Sequence, residues 1–471
     1  MLFLLFLALG SHVFVSSFQA SLTSRQCQPS ASSPHSTPRS ITQRPPSQLS
    51  EQQQAASSSA DNTILNPLLQ SIQPSATVQL FSKVKALQAA GQTITSLCVG
   101  EPDFGPPPCV IDAVRTALSN GDTRYTAVTG TIDVRTAICH DLERRKPGLV
   151  YTPEQIVVAN GAKQAVFQAL LAVAGVGDVV LVPAPFWPSY PEQVRLCGAT
   201  PVLLESTAAT GYLLDPATLR EALQKHPSVK ALILCHPSNP TGAVYSEEQL
   251  QALAQVLADT NVAVIADEIY ERLIYNDDHG SCPSIALAMP DTNVVTINGC
   301  SKAYAMTGFR LGYAASHNPT LVTAMTTLQS QLTSCASSIA QAAATVALVD
   351  DDSVDAWLAE RTRELQAKRD FVWQALQGMP GVVLPADPPP GAFYVLPNVA
   401  AYCTGDSRTD ADFCVELLER HQLAIVPGSS FGAPGTVRLS YATSMEELRE
   451  AMDKLATYLE EERRNQHLEL E

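Results

Sequence analysis

Residues 293–312 read NVVTINGCSKAYAMTGFRLG. Val294, Val295, Thr296 and Ile297 form a β-branched run closed by Asn298 and Gly299, two turn residues. Such a run predicts a strand covered on both faces, as in a parallel sheet. Ser301, Lys302, Thr307 and Arg310 follow at once, with Gly308 and Gly312 between and after them. In an open α/β sheet, ligands bind beyond the carboxyl ends of the strands. Lys302 therefore stands where a ligand is expected, and the small residues around it, Gly299 included, are expected to let a planar group approach the backbone.

The same pattern recurs along the chain. QIVVAN (155–160), VVLVPAP (179–185), ALILCHP (231–237) and VAVIAD (262–267) are short apolar runs that end in turn residues. Helical patterns separate them. Ser246 opens one with Gln249 three residues on, a capping box, and Leu250, Leu253, Ala254 and Leu257 form its apolar face. This alternation predicts an α/β fold: a mostly parallel central sheet flanked by helices. Beyond residue 350 the rhythm changes to one long helix ended by Gly378, a mixed segment, and a last helix from Ser444. There Glu447 completes a second capping box, and Leu448, Met452, Leu455 and Leu459 face inward. A large domain over 110–350 is expected. A smaller α+β domain is expected from both chain ends, 61–109 with 351–463, with a short tail over 464–471.

Composition agrees with an enzyme. Of 471 residues, 45% are hydrophobic and 16% charged, enough for a large core. A formal charge of −16 argues against a nucleic-acid partner, which wants a basic footprint. Eleven cysteines lack CxxC pairs or metal-ligand spacing, so reduced, mostly buried thiols and no metal are expected.

The N-terminus differs in kind. Residues 1–18 hold an apolar run that reads as a signal-like segment, too short for a membrane span, although it lacks a basic start. Residues 19–60 read as transit-like: 19–50 contain nine Ser, five Pro, three Thr and three Arg, and no acid precedes Glu51. Together they resemble the two-part plastid presequence of algae with complex plastids, with Phe18 where an aromatic often stands. Mitochondrial import or plain secretion are the alternatives. No membrane association is expected of the mature form.

The other strand ends carry matching chemistry. Gly161-Ala162-Lys163 follows QIVVAN and opens a helix, where free backbone N–H groups suit a phosphate. SNPTG (238–242) follows Pro237, so Asn239 is flanked by Pro237 and Pro240. Asp267 ends an apolar strand, a costly place for a carboxylate without a positive partner, and Tyr270 lies just beyond. A lysine, a carboxylate, an amide, a phenol, an arginine and a phosphate-ready helix start are what pyridoxal phosphate requires.

With these motifs in view, the chain resembles the class I pyridoxal-phosphate aminotransferases of fold type I. The closer match is the prokaryotic-type aspartate aminotransferases, a branch that includes the plastidial aspartate/prephenate enzymes. PSATV, GEPDF, NGAKQ, PSNPTGAVY, DEIYE, SKAYAMTGFRLGY, GAFY and VRLSYA carry the match from about residue 64 to 460. The resemblance implies that Lys302 forms a Schiff base with the cofactor and Asp267 pairs with its pyridinium nitrogen. Asn239 and Tyr270 would bond the ring's phenolic oxygen, and Trp187 would stack on the ring. The amides of Ala162 and Lys163, with Ser301 and Arg310, would hold the phosphate. Tyr125 would reach the phosphate of a neighbouring subunit, making an obligate homodimer with shared active sites. Arg438 would clamp the substrate α-carboxylate, with Gly100 packed beside it. Taken singly, Trp187 reads as core, Gly100 as a turn, Arg438 as a surface ion pair and Tyr125 as packing.

The family also implies a substrate class. Lys163 and Thr77 would meet a distal carboxylate, favouring aspartate, glutamate and their oxo acids. Relatives commonly carry a basic residue just before PSAT; here it is Gln73, which weakens the case for prephenate. Phe309 in place of the usual Trp is conservative. Aspartate:2-oxoglutarate transamination ranks first and prephenate amination second. A fold-type-I lyase using the same cofactor is the rival class, and a non-enzymatic cofactor-binding protein is disfavoured because Lys302, Asp267 and Arg438 are all present.

Overall fold

A computed structural model describes residues 66–275, 282–290, 293–349, 352–403 and 408–468, the last three by backbone alone. The signal-like and transit-like segments before residue 61 lie outside the described residues.

Strand β1 is only Thr95–Ser96. Strands β2 (Ile156–Ala159), β3 (Val179–Ala184), β4 (Thr200–Glu205), β5 (Val229–Cys235), β6 (Ala263–Asp267), β7 (Val294–Gly299) and β8 (Gly312–Ala315) form one seven-stranded sheet. Its order is β2-β8-β7-β6-β5-β3-β4. Every pairing from β7 to β4 is parallel, and β8 runs antiparallel to both its neighbours. Four short strands follow: β9 (Tyr394–Val395), β10 (Leu423–Ala424), β11 (Val426–Pro427) and β12 (Val437–Ser440). β1 pairs parallel with β10, so early and late parts of the chain share one small sheet, and β11-β12-β9 form another.

The apolar runs read as strands because each serves two cores. Val158, Leu181, Leu232, Leu234 and Val264 point into one hydrophobic cluster. Their neighbours Val157, Val180, Val182, Ile233 and Ile265 point into another on the opposite face. Strand side chains alternate, so a sheet covered on both faces needs apolar residues at every position. The helices 132–145, 247–257 and 338–348 contribute buried residues on the first side, and 162–173 and 319–332 on the second.

Two strands of the seven-stranded sheet escape the sequence reading. β4 is an edge strand with most of its residues exposed or half-buried, so it lacks the apolar signature. β8 is four residues long and follows directly on the motif around Lys302. Its reversed direction matters for the site: Gly312, its first residue, is level with Gly299, the last of β7, and with Ala159, the last of β2. Arg310, just before β8, therefore arrives at the same sheet edge as the carboxyl ends of the other strands.

The helix over Glu247–Leu257 has the capping box read from Ser246 and Gln249. At the last helix only one arm of the expected box forms as read. The Glu447 N–H donates to Ser444 Oγ at 3.1 Å, but the Glu447 carboxylate accepts from the Ser96 N–H at 3.1 Å and from the Thr443 hydroxyl. It ties the helix to β1 because that half-buried strand amide needs an acceptor.

Candidate active site

A cavity of about 340 Å³ opens at this sheet edge. Its walls include Lys302, Ser301, Asp267, Tyr270, Asn239, Trp187, Ala162, Lys163, Arg310, Arg438, Gly100 and Thr77. Twelve side chains or backbones expected to act together are thus brought together. Tyr125 is not among the lining residues; it is 88% exposed in the single subunit. Gln73 is exposed, and its backbone N–H donates to Glu192 at 2.9 Å.

Asp267 closes β6 and is 4% exposed. Tyr190 Oη donates to its Oδ2 at 2.7 Å, and the Ile269 N–H donates to Oδ1 at 3.3 Å. Burial raises its pKa to about 6, against the pull of those two donors and of Lys302. A carboxylate this desolvated favours a cationic partner, and a protonated pyridine nitrogen is one.

Lys302 faces the cavity, so by surface area it is only half-buried, yet the walls screen its amine from bulk water. Nζ donates to the Gly100 carbonyl at 2.6 Å. Burial lowers its pKa to about 8; Glu101 opposes this, and Arg438 and Arg310 add to it. A lysine with that pKa is a nucleophile and base within reach of neutral pH.

Arg438, on β12, is buried at 2% exposure and sits over the rings of Tyr394 (4.6 Å) and Phe431 (4.9 Å). It donates to Asn239 Oδ1 at 3.1 Å and to the Cys98 carbonyl at 2.7 Å. Among the described residues no carboxylate lies within ion-pair distance of it, which suits a site for a substrate carboxylate. Because a guanidinium only donates, Asn239 must present Oδ1 to it, leaving Nδ2 as a donor.

The phosphate-ready corner rests on close backbone packing. Gly161 has φ +90°, and a Cβ there would lie 2.4 Å from the Arg310 guanidinium. A Cβ on Gly312 would lie 2.3 Å from the Ala162 nitrogen. Only glycines let the helix start at Ala162, β8 and Arg310 meet, and first-turn N–H groups of a helix have no intrahelical acceptor. Gly299 corrects the expectation made of it. A Cβ there would lie 2.7 Å from Gly312 Cα and from the Leu311 carbonyl, so its smallness admits β8, not a planar ligand. Gly100 is likewise packed against the Tyr394 hydroxyl, 2.4 Å from a Cβ built on it, and Arg438 sits over that same ring.

Sequence reasoning missed Tyr190 and Tyr394. Tyr190 ends PFWPSY, three residues after Trp187, whose ring it meets edge-on at 5.3 Å. Tyr394 ends GAFY, and its hydroxyl lies 2.7 Å from that of Tyr270. Both motifs were visible, but nothing local reveals which hydroxyl each tyrosine meets.

Buried carboxylate, desolvated lysine, acid-free arginine and glycine-lined helix start together fit pyridoxal phosphate. Comparison with known proteins agrees. The family model described as aminotransferase class I and II matches residues 92–455, and the chain belongs to that family. Its aspartate aminotransferase members are pyridoxal-phosphate enzymes. An aspartate aminotransferase of Pinus pinaster is 42% identical over 400 residues, covering 83% of this chain and 80% of the relative. A bifunctional aspartate aminotransferase and glutamate/aspartate-prephenate aminotransferase of Petunia hybrida is 41% identical, over 83% and 82%. The solved aspartate aminotransferase from Thermus thermophilus with maleate superposes with a TM-score of 0.78 at 37% identity, covering 83% of this chain and 99% of that one. The fold is fold type I, and the chain is a pyridoxal-phosphate-dependent aminotransferase acting on amino and 2-oxo acids.

The Asp267 shift makes a prediction about pH. Its folded pKa lies above the unfolded value of 3.8, so the charged form costs stability above about pH 6, and the cost fades as pH falls toward 4. Two pKa units correspond to about 3 kcal/mol. With cofactor removed, Asp267→Asn should be more stable than wild type at pH 8 by up to that amount, and the gap should close between pH 6 and 4. Chemical denaturation of both proteins across pH measures it; a pH-independent gap contradicts the assignment.

Proposed function

We propose that the enzyme transfers the amino group between L-aspartate and 2-oxoglutarate, giving oxaloacetate and L-glutamate. The observation that carries this is a surplus of positive charge. Among the described residues, four cations line the cavity: Arg310, Lys302, Arg438 and Lys163. Phosphate, cofactor aldehyde and α-carboxylate account for three. Lys163 remains, its amine 4.8 Å from the Trp187 ring centroid, its pKa lowered by burial and then by Arg310. A second substrate carboxylate is the natural partner for it, with Thr77 lining the same cavity. The maleate named with the Thermus structure is also a dicarboxylate.

In this reading Arg310, Ser301 and the amides of Ala162 and Lys163 hold the phosphate. Asp267 holds the pyridine nitrogen, Asn239 and Tyr270 the phenolic oxygen, and Trp187 covers the ring. Bound pyridoxal phosphate supplies an electron sink for charge developing at the substrate Cα. Arg438 and Lys163 grip the two carboxylates and fix the Cα beside Lys302. Lys302 Nζ then takes the Cα proton and redelivers it, a role its lowered pKa suits.

Prephenate is a second substrate in the proposal, because the Petunia relative carries that activity in its name. Gln73 supplies no charge for prephenate's ring carboxylate, so aspartate ranks first. The division into lobes over 110–350 and 61–109 with 351–463 belongs to the same proposal, supported by the large sheet lying wholly within 156–315. So does a homodimer in which Tyr125 serves the partner's site, supported by its exposure. Mixed Lys302→Ala and Tyr125→Phe subunits should then regain activity, and no regain counts against it. Residues 1–60 are proposed as a plastid import presequence from their composition; a fluorescent fusion retained in the cytosol would sink that.

A panel of amino donors and oxo acids, prephenate included, tests the function. Aspartate and glutamate should be the best donors. Lys163→Ala should lower kcat/KM for them by about tenfold or more, the scale of one lost charged contact, and far less for alanine or phenylalanine. Equal losses would show that Lys163 does not meet the distal carboxylate.

A further inference from the structure

The motif DEIYE (267–271) contributes Asp267 and Tyr270 to the cavity, but its two glutamates point elsewhere. Glu268 and Glu271 are buried at 0% and 4% exposure. Lys146, also fully buried, pairs with both: with Glu268 in a short contact and with Glu271 Oε2 at 3.0 Å. Arg145 pairs with Glu271 Oε1 and with Asp141 at 2.7 Å. Ser284 donates to Glu268 at 2.6 Å. Burial would raise the Glu271 pKa, but Arg145 and Lys146 outweigh it and hold the group at about 2.

The cluster reaches the lysine loop through one amide. Asn298 Nδ2 donates to Glu271 Oε1 at 2.9 Å, and Asn298 Oδ1 accepts from the Gly299 N–H at 2.7 Å. Gly299 is the last residue of β7, three before Lys302. The Glu268 N–H also donates to the Ile297 carbonyl at 2.9 Å, fastening the two strand ends together. Burying this many charges is a poor route to stability compared with apolar packing. Its distinctive result is geometric: every member lies on the segments that carry Asp267, Tyr270 and Lys302, or fastens them.

We infer that Lys146, Glu271 and Asn298 are positioning residues that set Lys302 against Asp267 and Tyr270 from behind the cavity. The inference rests on the assignment of Lys302 and Asp267 to the cofactor made above. None of the three lines the cavity, so none touches substrate. Glu271→Gln keeps the shape and removes the charge that holds Lys146 and Arg145. Asn298→Ala leaves every ion pair and the Glu268 N–H to Ile297 bond in place and cuts the side-chain link to the Lys302 segment.

The test uses holoenzyme of Glu271→Gln and Asn298→Ala beside wild type and Lys302→Ala. Three quantities are read: kcat and KM for aspartate, the visible absorbance of the bound cofactor, and circular dichroism with gel-filtration elution. The expected result is a fall in kcat of about tenfold or more with KM changed less than about threefold, as for a misplaced reacting group. An altered cofactor absorbance band should accompany it, with dichroism and elution unchanged. Folded variants with wild-type kcat and absorbance would overturn the inference. Should Glu271→Gln fail to fold, Asn298→Ala decides alone. Lys302→Ala separates the two levels: if it keeps the wild-type absorbance band and turnover, the cofactor assignment itself fails, whereas its loss beside wild-type-like Asn298→Ala defeats only the positioning role.

Discussion

The site depends on a backbone contact that only glycines permit. Gly312 opens β8 against the start of the helix Ala162–Val173, where a side chain would collide with the Ala162 nitrogen. Gly299 ends β7 beside Gly312 for the same reason. This contact brings three features to one edge: the N–H groups of a helix start, the arginine that precedes an antiparallel strand, and the lysine that follows a parallel one. Were β8 parallel, Arg310 would enter at the opposite edge, and the phosphate corner would lose its charge.

Electrostatics then divide the labour. Burial works in opposite directions on the two central groups, raising the Asp267 pKa to about 6 and lowering that of Lys302 to about 8. Each is strained in a sense that a cationic ring bound through an aldehyde relieves. Arg438 is held differently: its guanidinium sits over two aromatic rings, fixed by carbonyl and amide oxygens and not by an acid. Such an arginine is oriented yet electrically uncompensated, which a carboxylate ligand can exploit.

Much of this is legible in the chain because buried strands announce themselves. Continuous apolar runs ending in Asp267, Asn298-Gly299 or His236-Pro237 locate the carboxyl edge, and polar residues just beyond stand out against them. What stays hidden is non-local. Tyr190 reaches Asp267 across 77 residues and Lys146 reaches Glu268 across 122, and no spacing rule links such pairs. β4 is hidden because its exposed positions break the apolar run, and β8 because four residues carry too little pattern. Gly299 was legible as small but not as small for β8, since its neighbour is set by sheet order.

The roles proposed for Asp267, Tyr270 and Arg310 all depend on Lys302 carrying the cofactor. Reduction of the holoenzyme with borohydride, followed by peptide mapping, measures it directly. The pyridoxyl group is expected on the peptide containing Lys302 and on no other, in stoichiometric yield. Label on Lys163 or another lysine, with the Lys302 peptide unmodified, would contradict it.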